Sequence, residues 1–167
     1  MTAELEILRT PDGLTPEWLA AALGSGPIES LQTRKIGTGQ MSETTRVAIT
    51  YAGEATGPAS VVLKTPSADE TSRTTGVGLG IYDREVRFYS ELAPRIGGPL
   101  ADCHFAAIAP DGSFTIVLED LEPASQGDQI AGCTVEQARL AIDSLARLHA
   151  PVFGDPQLGA TPWLNQG

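Results

Sequence analysis

The sequence predicts an α+β fold, with an antiparallel sheet of about five strands and one helix packed on it. Two strand–turn–strand patterns predict two hairpins, and a short apolar strand followed by a long helical periodicity lies between them. Hydrophobic residues make up 41% of the chain and charged residues 19%, which indicates a globular protein and not a disordered one. Several α+β folds share this order of elements, so the residues that carry chemistry must distinguish them.

The first fifty residues predict a short helix and a hairpin. Thr15 is a suitable cap for the helix and Gly24 ends it. Residues 28–36 predict the first strand, and the alternation of polar and apolar residues over 46–51 predicts the second. The glycine-bearing segment 37–42 is therefore expected to be the turn between two neighbouring strands.

The middle of the chain predicts a strand, a loop and the central helix. Residues 61–65 are mostly apolar and predict the third strand, whereas 66–80 are rich in Ser, Thr and Gly and predict a loop. Residues 81–93 predict the helix, because one helical face collects a stripe of mainly apolar side chains. The stripe consists of Ile81, Glu85, Phe88, Tyr89 and Leu92.

The remaining elements are a second hairpin and a last helix. Residues 103–109 and 113–119 predict two strands joined by the turn signal Pro110-Asp111-Gly112. Thr134 and Gln137 have the spacing of a capping box, which predicts a helix that runs to His149. Its apolar stripe is Ala138, Ala141, Ile142, Leu145 and Leu148.

Charge and composition exclude some classes of partner. Acidic residues outnumber basic ones 21 to 11, for a net charge of −10, which disfavours binding to nucleic acid or to an anionic membrane. The first ten residues lack a secretion signal pattern, and no segment has the apolar length of a membrane span. Cys103 and Cys133 are expected to be reduced, buried thiols. We therefore expect a cytoplasmic protein.

Two charged residues occupy apolar patterns. Lys64 lies inside the third strand, and Glu85 lies in the stripe of the central helix. A buried charge is costly unless it is paired, so the two charges are expected to meet. A strand lysine paired with a helix glutamate is the arrangement with which kinases hold the α- and β-phosphates of ATP. The alternative is that Lys64 reaches solvent at the strand end and Glu85 lies at the edge of its stripe.

Two further segments are candidates for contacts with a nucleotide. Glycines at 37 and 39 would let backbone N–H groups of the turn approach phosphate oxygens, and the Ser42 hydroxyl would add a donor. Residues 119–121 directly follow a strand and could pair their backbone with an adenine edge, with the acidic side chains in solvent. The alternatives are an ordinary hairpin turn and an ordinary polar loop.

The other polar residues predict no catalytic or metal site. His104 and His149 have no third ligand at metal spacing, so packing or surface roles are expected. Residues 153–155 read Phe-Gly-Asp, which reverses the order of the metal-binding motif of kinases. The sequence contains neither a Walker A motif nor a Gly-x-Ser-x-Gly nucleophile motif.

Six short motifs occur together in one order and spacing. They are Gly37-Thr38-Gly39-Gln40-Met41-Ser42, Val62-Leu63-Lys64, Arg84-Glu85-Val86-Arg87-Phe88-Tyr89, Leu118-Glu119-Asp120-Leu121, Leu145-Ala146-Arg147-Leu148-His149-Ala150 and Gly154-Asp155-Pro156. With them the chain resembles, over nearly its whole length from Leu14, the aminoglycoside phosphotransferase/choline kinase-like superfamily. The nearest likeness is to the ecdysteroid-kinase-like branch of the phosphotransferase enzyme family.

The resemblance implies the N-terminal lobe of a protein-kinase-like fold, ATP with Mg²⁺ as cofactors, and phosphorylation of a hydroxyl group on a small molecule. It implies that Lys64 contacts the phosphates, that Glu85 orients Lys64, and that the turn covers the phosphates while the segment after the last strand binds adenine. The implied nucleotide-binding residues are Gly37, Thr38, Gly39, Gln40, Met41, Ser42, Lys64, Glu85, Glu119, Asp120 and Leu121.

The chain departs from the family pattern at its end. Members of the family continue into a catalytic loop with an HGD-like motif and a metal-binding Asp, and neither motif occurs here. We therefore expect a nucleotide-binding lobe over 1–121 and the start of an incomplete C-terminal lobe over 122–167, with no catalytic or metal-binding residue and no turnover by this chain alone.

Two alternatives to a truncated kinase remain open. One is a complete, non-catalytic nucleotide-binding or protein-interaction module, and the other is a lobe completed by a second polypeptide. In a two-lobed kinase the last helix packs on the larger lobe, so in this chain its apolar stripe would lack the usual cover. We therefore expect this helix to associate in a homodimer, to swap with a neighbour or to fold back onto the sheet.

Overall fold

The computed structural model describes residues 5–37, 40–125, 127–128 and 130–164. It confirms the α+β class. The chain divides into two compact units, one drawn from Met1–Ser90 and Ala101–Asp120, the other from Glu91–Leu100 and Leu121–Gly167. The first unit contains the sheet. The domain boundary expected at residue 121 stays a prediction.

The sheet of the first unit has five strands, and every neighbouring pair is antiparallel. The spatial order is β1-β2-β3-β5-β4, so β2, β3 and β5 lie inside the sheet and β1 and β4 form its edges. All five predicted strands are present, with ends that differ from the predicted ones by at most four residues. They are β1 Ile28–Ile36, β2 Ser42–Tyr51, β3 Ser60–Pro66, β4 Cys103–Ile108 and β5 Phe114–Glu119.

Helices precede, interrupt and follow the strands. The α-helices are α1 Pro16–Leu23, α2 Glu70–Gly78, α3 Ile81–Arg87, α4 Ala93–Ile96, α5 Val135–His149 and α6 Pro156–Gly159. A π-helix covers Phe88–Leu92, and short 3₁₀-helices cover Pro11–Gly13, Ala150–Val152 and Pro162–Leu164. The predicted cap of α1 is confirmed, because Thr15 accepts from the Trp18 N–H at 3.1 Å and Gly24 adopts a φ of 62°.

The sheet is covered on both faces, not by one helix as the sequence predicts. On one face α1 contributes Leu19 to a cluster with Val47 and Val117, and on the other α3 contributes Tyr82 to a cluster with Ile116. Successive residues of a strand point to opposite faces, so the apolar run of β5 supplies both clusters. Such a run predicts a strand but not the number of layers packed around it.

The expectation of a loop over 66–80 is wrong, because Glu70–Gly78 forms α2. Its cap is Asp69, whose carboxylate accepts from the Ser72 N–H at 2.8 Å. The helix is polar, so it shows no apolar periodicity in the sequence. Helix α2 also approaches α3 closely at Gly76. A Cβ atom added to Gly76 would lie 2.5 Å from Tyr82 Cζ.

The predicted helix over 81–93 is not continuous. The α-helical pattern ends at Arg87, and a π-helix leads into α4, whose first turn contains Pro94. Proline has no N–H to donate to the carbonyl four residues before it, so an α-helix cannot continue unchanged through this point. The buried face also differs from the predicted stripe, because Tyr82 and Val86 are the most buried residues of α3.

In the second unit, the capping box of α5 is confirmed. The Gln137 N–H donates to Thr134 Oγ1 at 3.1 Å, and the Thr134 N–H donates to Gln137 Oε1 at 2.8 Å. No residue of α5 is buried, and Ile142 and Leu145 are 64% and 49% exposed. The helix therefore has the predicted amphipathic pattern without a buried face.

Cys103 and Cys133 are both free, as expected, but Cys133 is exposed because it lies in the loop before α5, so the expectation that it is buried is wrong. Over the described part of the chain, no helix has the length and apolar character that a membrane span needs.

Candidate functional site

The predicted ion pair between Lys64 and Glu85 is present. Lys64 lies near the end of β3, where it is paired with Thr44 of β2 and Ile116 of β5. It shares a strand face with Val62, which packs in the cluster under α3, and this directs its ammonium toward the helix that carries Glu85. The two side chains are 20% and 25% exposed, so the pair is shielded but still accessible to a ligand.

A phenol lies one helical turn beyond the carboxylate. Tyr89 is half-buried, and burial raises the pKa of its hydroxyl, with the negative charge of Glu85 and the Cys103 thiol adding to the shift. Burial also raises the pKa of the Cys103 thiol, which contacts the Phe105 carbonyl at 3.5 Å. Both groups are therefore neutral at physiological pH, and the charge of this region belongs to Lys64 and Glu85.

The glycine turn is described only in part. Gly37 has a φ of 73°, a conformation that favours glycine, and Ser42 begins β2 opposite Pro66. Thr38 and Gly39 lie outside the described residues. Gln40 is exposed and Met41 is half-buried at the start of the returning strand.

Tyr82 is a site residue that the sequence patterns missed. Its hydroxyl donates to the Met41 carbonyl, which links α3 to the turn. The ring is 1% exposed and lies 4.5 Å from the ring of Phe114, centroid to centroid. A signal was present, since Tyr82 precedes Glu85 by three residues and Val86 by four, the spacing of one helical face.

The segment after β5 differs from its prediction. The Asp120 carboxylate is 2% exposed, and it pairs with the Arg46 guanidinium at 2.8 Å and accepts from Ser60 Oγ at 2.7 Å. The expectation that both acidic side chains face solvent is therefore wrong for Asp120, because the shielded Arg46 of β2 provides a partner for a buried carboxylate. Glu119 is exposed and accepts from the Asp102 N–H at 3.2 Å. Leu121 is 55% exposed.

One strand joins the two parts of the candidate site. Ser60 begins β3 and contacts Asp120, and Lys64 lies four residues further along the same face. At about 3.3 Å per residue these two positions are about 13 Å apart. The sheet thus holds Asp120 and the ion pair at a fixed separation on one face.

Other candidate sites contribute less. Among the described residues, no three of His, Cys, Asp and Glu come close enough together to hold a metal ion. Two cavities of about 430 and 420 Å³ share Val77 and Gly112 in their walls, and neither is lined by Lys64 or Glu85.

Comparison with known proteins identifies one family. The model of the ecdysteroid kinase-like family matches residues 37–153, a segment that includes the turn, the ion pair, the end of β5 and α5. No curated protein matches the chain.

Proposed function

Because the chain belongs to the ecdysteroid kinase-like family, within the phosphotransferase/choline kinase-like superfamily, we propose that its sheet-containing unit binds ATP. The family match indicates a kinase-like phosphotransferase domain, and the five-stranded antiparallel sheet with its helices is compatible with a kinase-like lobe. The proposed role is the nucleotide-binding part of a phosphotransferase that acts on a hydroxyl group of a small molecule.

The observation that carries this proposal is the Lys64–Glu85 ion pair. Glu85 holds the Lys64 side chain in one orientation. That side chain is still 20% exposed, and its ammonium has three N–H donors, so donors remain for phosphate oxygens. Charge-assisted hydrogen bonds to phosphate are among the stronger polar contacts in proteins. Lys64 would therefore bind the α- and β-phosphates, and Glu85 would orient it.

The remaining contacts are assigned to backbone groups. The turn from Gly37 to Ser42 would cover the phosphates with N–H groups, and the backbone of Glu119, Asp120 and Leu121 would bind the adenine edge. The contacts of the Asp120 side chain with Arg46 and Ser60 support the second assignment, because they hold this backbone against β2 and β3.

Metal binding and turnover are a separate question. Mg²⁺ accompanies ATP in kinase-like families and screens the phosphate charges. The described residues do not offer it a cluster of carboxylates, so they do not fit the ion. The sequence also contains no HGD-like catalytic motif. We propose that these residues bind nucleotide and do not transfer phosphate without further residues.

The chain offers a matched control for testing Lys64, because it contains two lysines, Lys64 and Lys35. Lys35 is 68% exposed on β1 and lies 3.5 Å from Glu43. In calorimetric titrations with ATP, Lys64→Met should weaken binding about ten- to a hundredfold, since a hydrogen bond to a charged group contributes about 1.5–3 kcal/mol. Lys35→Met should bind like the wild type.

A lysine-acylating ATP analogue gives a second measurement. Peptide mapping should find the label on Lys64 and little on Lys35, and excess ATP should suppress it. Equal labelling of both lysines would contradict the proposed site. Sub-micromolar binding that depends strongly on Mg²⁺ would show a metal site that this proposal lacks.

A second candidate function, protein interaction, is favoured by the exposed apolar face of α5. The occupant that fits it is a second copy in an antiparallel pair about a two-fold axis near Ala141 and Ile142. The small Ala138 of one copy would then face Leu145 of the other, and Arg139 would lie near Asp143 on both sides of the axis. Size and charge are thus complementary, which supports a homodimer through residues 134–149.

A further inference from the structure

We propose that Tyr82 is a positioning residue for the phosphate part of the nucleotide, because its hydroxyl fixes the glycine turn to the helix that carries Glu85. The proposal rests on the nucleotide-binding function proposed above. It assigns a role to one oxygen atom of a residue that is otherwise part of the hydrophobic core.

The ring of Tyr82 has little freedom to move. It is 1% exposed, packs against Phe114 at 4.5 Å between centroids, and shares a core cluster with Ile116 and Val86. On its outer side it meets α2 at Gly76, where an added Cβ would lie 2.7 Å from the Tyr82 hydroxyl oxygen. A glycine at this point leaves the space that the phenol needs. The core therefore holds the hydroxyl in one place.

The hydroxyl donates to the Met41 carbonyl, which belongs to the last residue before β2. This hydrogen bond reaches the turn from outside the hairpin and joins residues that are 41 positions apart. A hydrogen bond at Met41 restricts how far the backbone at the start of β2 can move away from α3.

One short helix thereby fixes two parts of the site. Tyr82 and Glu85 are three residues apart on α3, so their side chains lie next to each other on one helical face. Tyr82 holds the turn and Glu85 holds the Lys64 ammonium. A displacement of α3 would move both at once, and the cover and the charge for the phosphates would be lost together.

Core packing alone does not require the hydroxyl. Phe fills nearly the same volume as Tyr without a polar atom to satisfy, so a purely structural residue at this position would tolerate Tyr82→Phe with a small loss of stability. A positioning role predicts, in addition, a loss of affinity for ATP that does not occur for adenosine, which has no phosphates.

The chain contains a matched control in Tyr51. It is 8% exposed, and its hydroxyl also donates to a backbone carbonyl, that of Pro58, at 3.1 Å. It lies at the other end of β2 from the turn, in the other core cluster. Tyr51→Phe thus removes the same kind of hydrogen bond from a comparably buried ring, away from the proposed phosphate contacts.

Titrations with ATP and with adenosine separate the two roles. Tyr82→Phe should weaken ATP binding about two- to tenfold, as expected for one hydrogen bond, and leave adenosine binding unchanged. Tyr51→Phe should leave both unchanged. Equal losses for ATP and adenosine, or equal effects of the two variants, would overturn the proposal. Gly76→Ala, which pushes on the same ring, should repeat the ATP-specific loss.

Amide hydrogen exchange tests the tether without nucleotide. Amides of residues 40–44 should exchange faster in Tyr82→Phe than in the wild type or in Tyr51→Phe, while the amides of β5 keep their protection. Unchanged exchange at 40–44 would overturn the tether even if ATP binds. If the wild type binds no ATP but the exchange rises as expected, the nucleotide-binding function fails and the hydrogen bond stands only as a constraint on the turn.

Discussion

Helices α3 and α5 differ in opposite ways from what their sequences suggest. Helix α3 has seven residues, carries a carboxylate on its inner face and runs into a π-helix, yet Tyr82 and Val86 are almost completely buried. Helix α5 has fifteen residues, a complete capping box and a clear apolar stripe, yet none of its residues is buried. An amphipathic pattern thus predicts that a helix forms, but not what covers it.

The difference lies in where each helix obtains its stability. Tertiary packing stabilises α3, because its inner face joins a cluster with Phe114 and Ile116 of the sheet. Local interactions stabilise α5, since its cap hydrogen bonds are within the helix itself. Elsewhere in the second unit, Arg95 pairs with Asp155 at 2.6 Å and Trp163 donates to Glu91 at 2.9 Å.

The largest expected contrast is in the free energy of unfolding when an apolar side chain on each helix is truncated to alanine. Tyr82→Ala should lower the free energy of unfolding by about 3–5 kcal/mol, because it leaves a cavity under α3. At concentrations where the chain is monomeric, Ile142→Ala should change it by no more than about 0.5 kcal/mol, because the side chain is 64% exposed in a single copy. Urea denaturation followed by circular dichroism measures both. A large, concentration-dependent loss in Ile142→Ala would show that α5 is covered in solution.

The second contrast concerns association through α5. Static light scattering should find a dimer for the wild type and a monomer for Leu145→Glu, because a charge in an apolar contact has no partner. Leu140→Glu is the matched control, since Leu140 is 62% exposed and lies about 140° around the helix from Leu145. A monomeric wild type would contradict the proposed dimer. A Leu140→Glu variant that dissociates would place the dimer contact on the face of α5 that carries Leu140.

A smaller effect is expected at the cap of α5. Thr134→Ala removes the hydroxyl that accepts from the Gln137 N–H and should cost about 1 kcal/mol of local stability. Because α5 has no buried face within a single copy, its amides in the monomer should exchange faster in the variant while those of α3 are unaffected. Equal protection of α5 in both proteins would mean that packing, and not the cap, holds this helix.

The smallest effect distinguishes a titratable cap from one that does not titrate. The Ser72 N–H donates to the Asp69 carboxylate at the start of α2 and lowers the pKa of that carboxyl group. The ionised carboxylate therefore stabilises α2 above the ordinary pKa of aspartate. This stabilisation is lost as the pH falls through the lowered pKa of Asp69 in the folded protein. Acidification from pH 6 to 3 should loosen α2 in exchange measurements, and Asp69→Ser should remove much of that pH dependence. Helix α5, capped by Thr134, should lack this source of pH dependence.

Local patterns in the sequence were sufficient for several features. Short runs of strand-forming residues between turn signals predicted all five strands, and the caps at Thr15 and Thr134 predicted where two helices begin. The Lys64–Glu85 contact was also predictable, because two charges in apolar patterns must each find a partner. Each of these inferences uses either spacing along the chain or the cost of an unpaired charge.

Only the tertiary structure decided the features that depend on distant neighbours. The Tyr82 hydroxyl meets Met41 across 41 residues, and Asp120 meets Arg46 across 74. Neither partner is visible from residue type or period, because a hydroxyl or a carboxylate can be satisfied equally well by water until packing excludes it. The same reason applies to α5, whose sequence specifies an apolar face, whereas only the surfaces that reach that face determine whether it is buried.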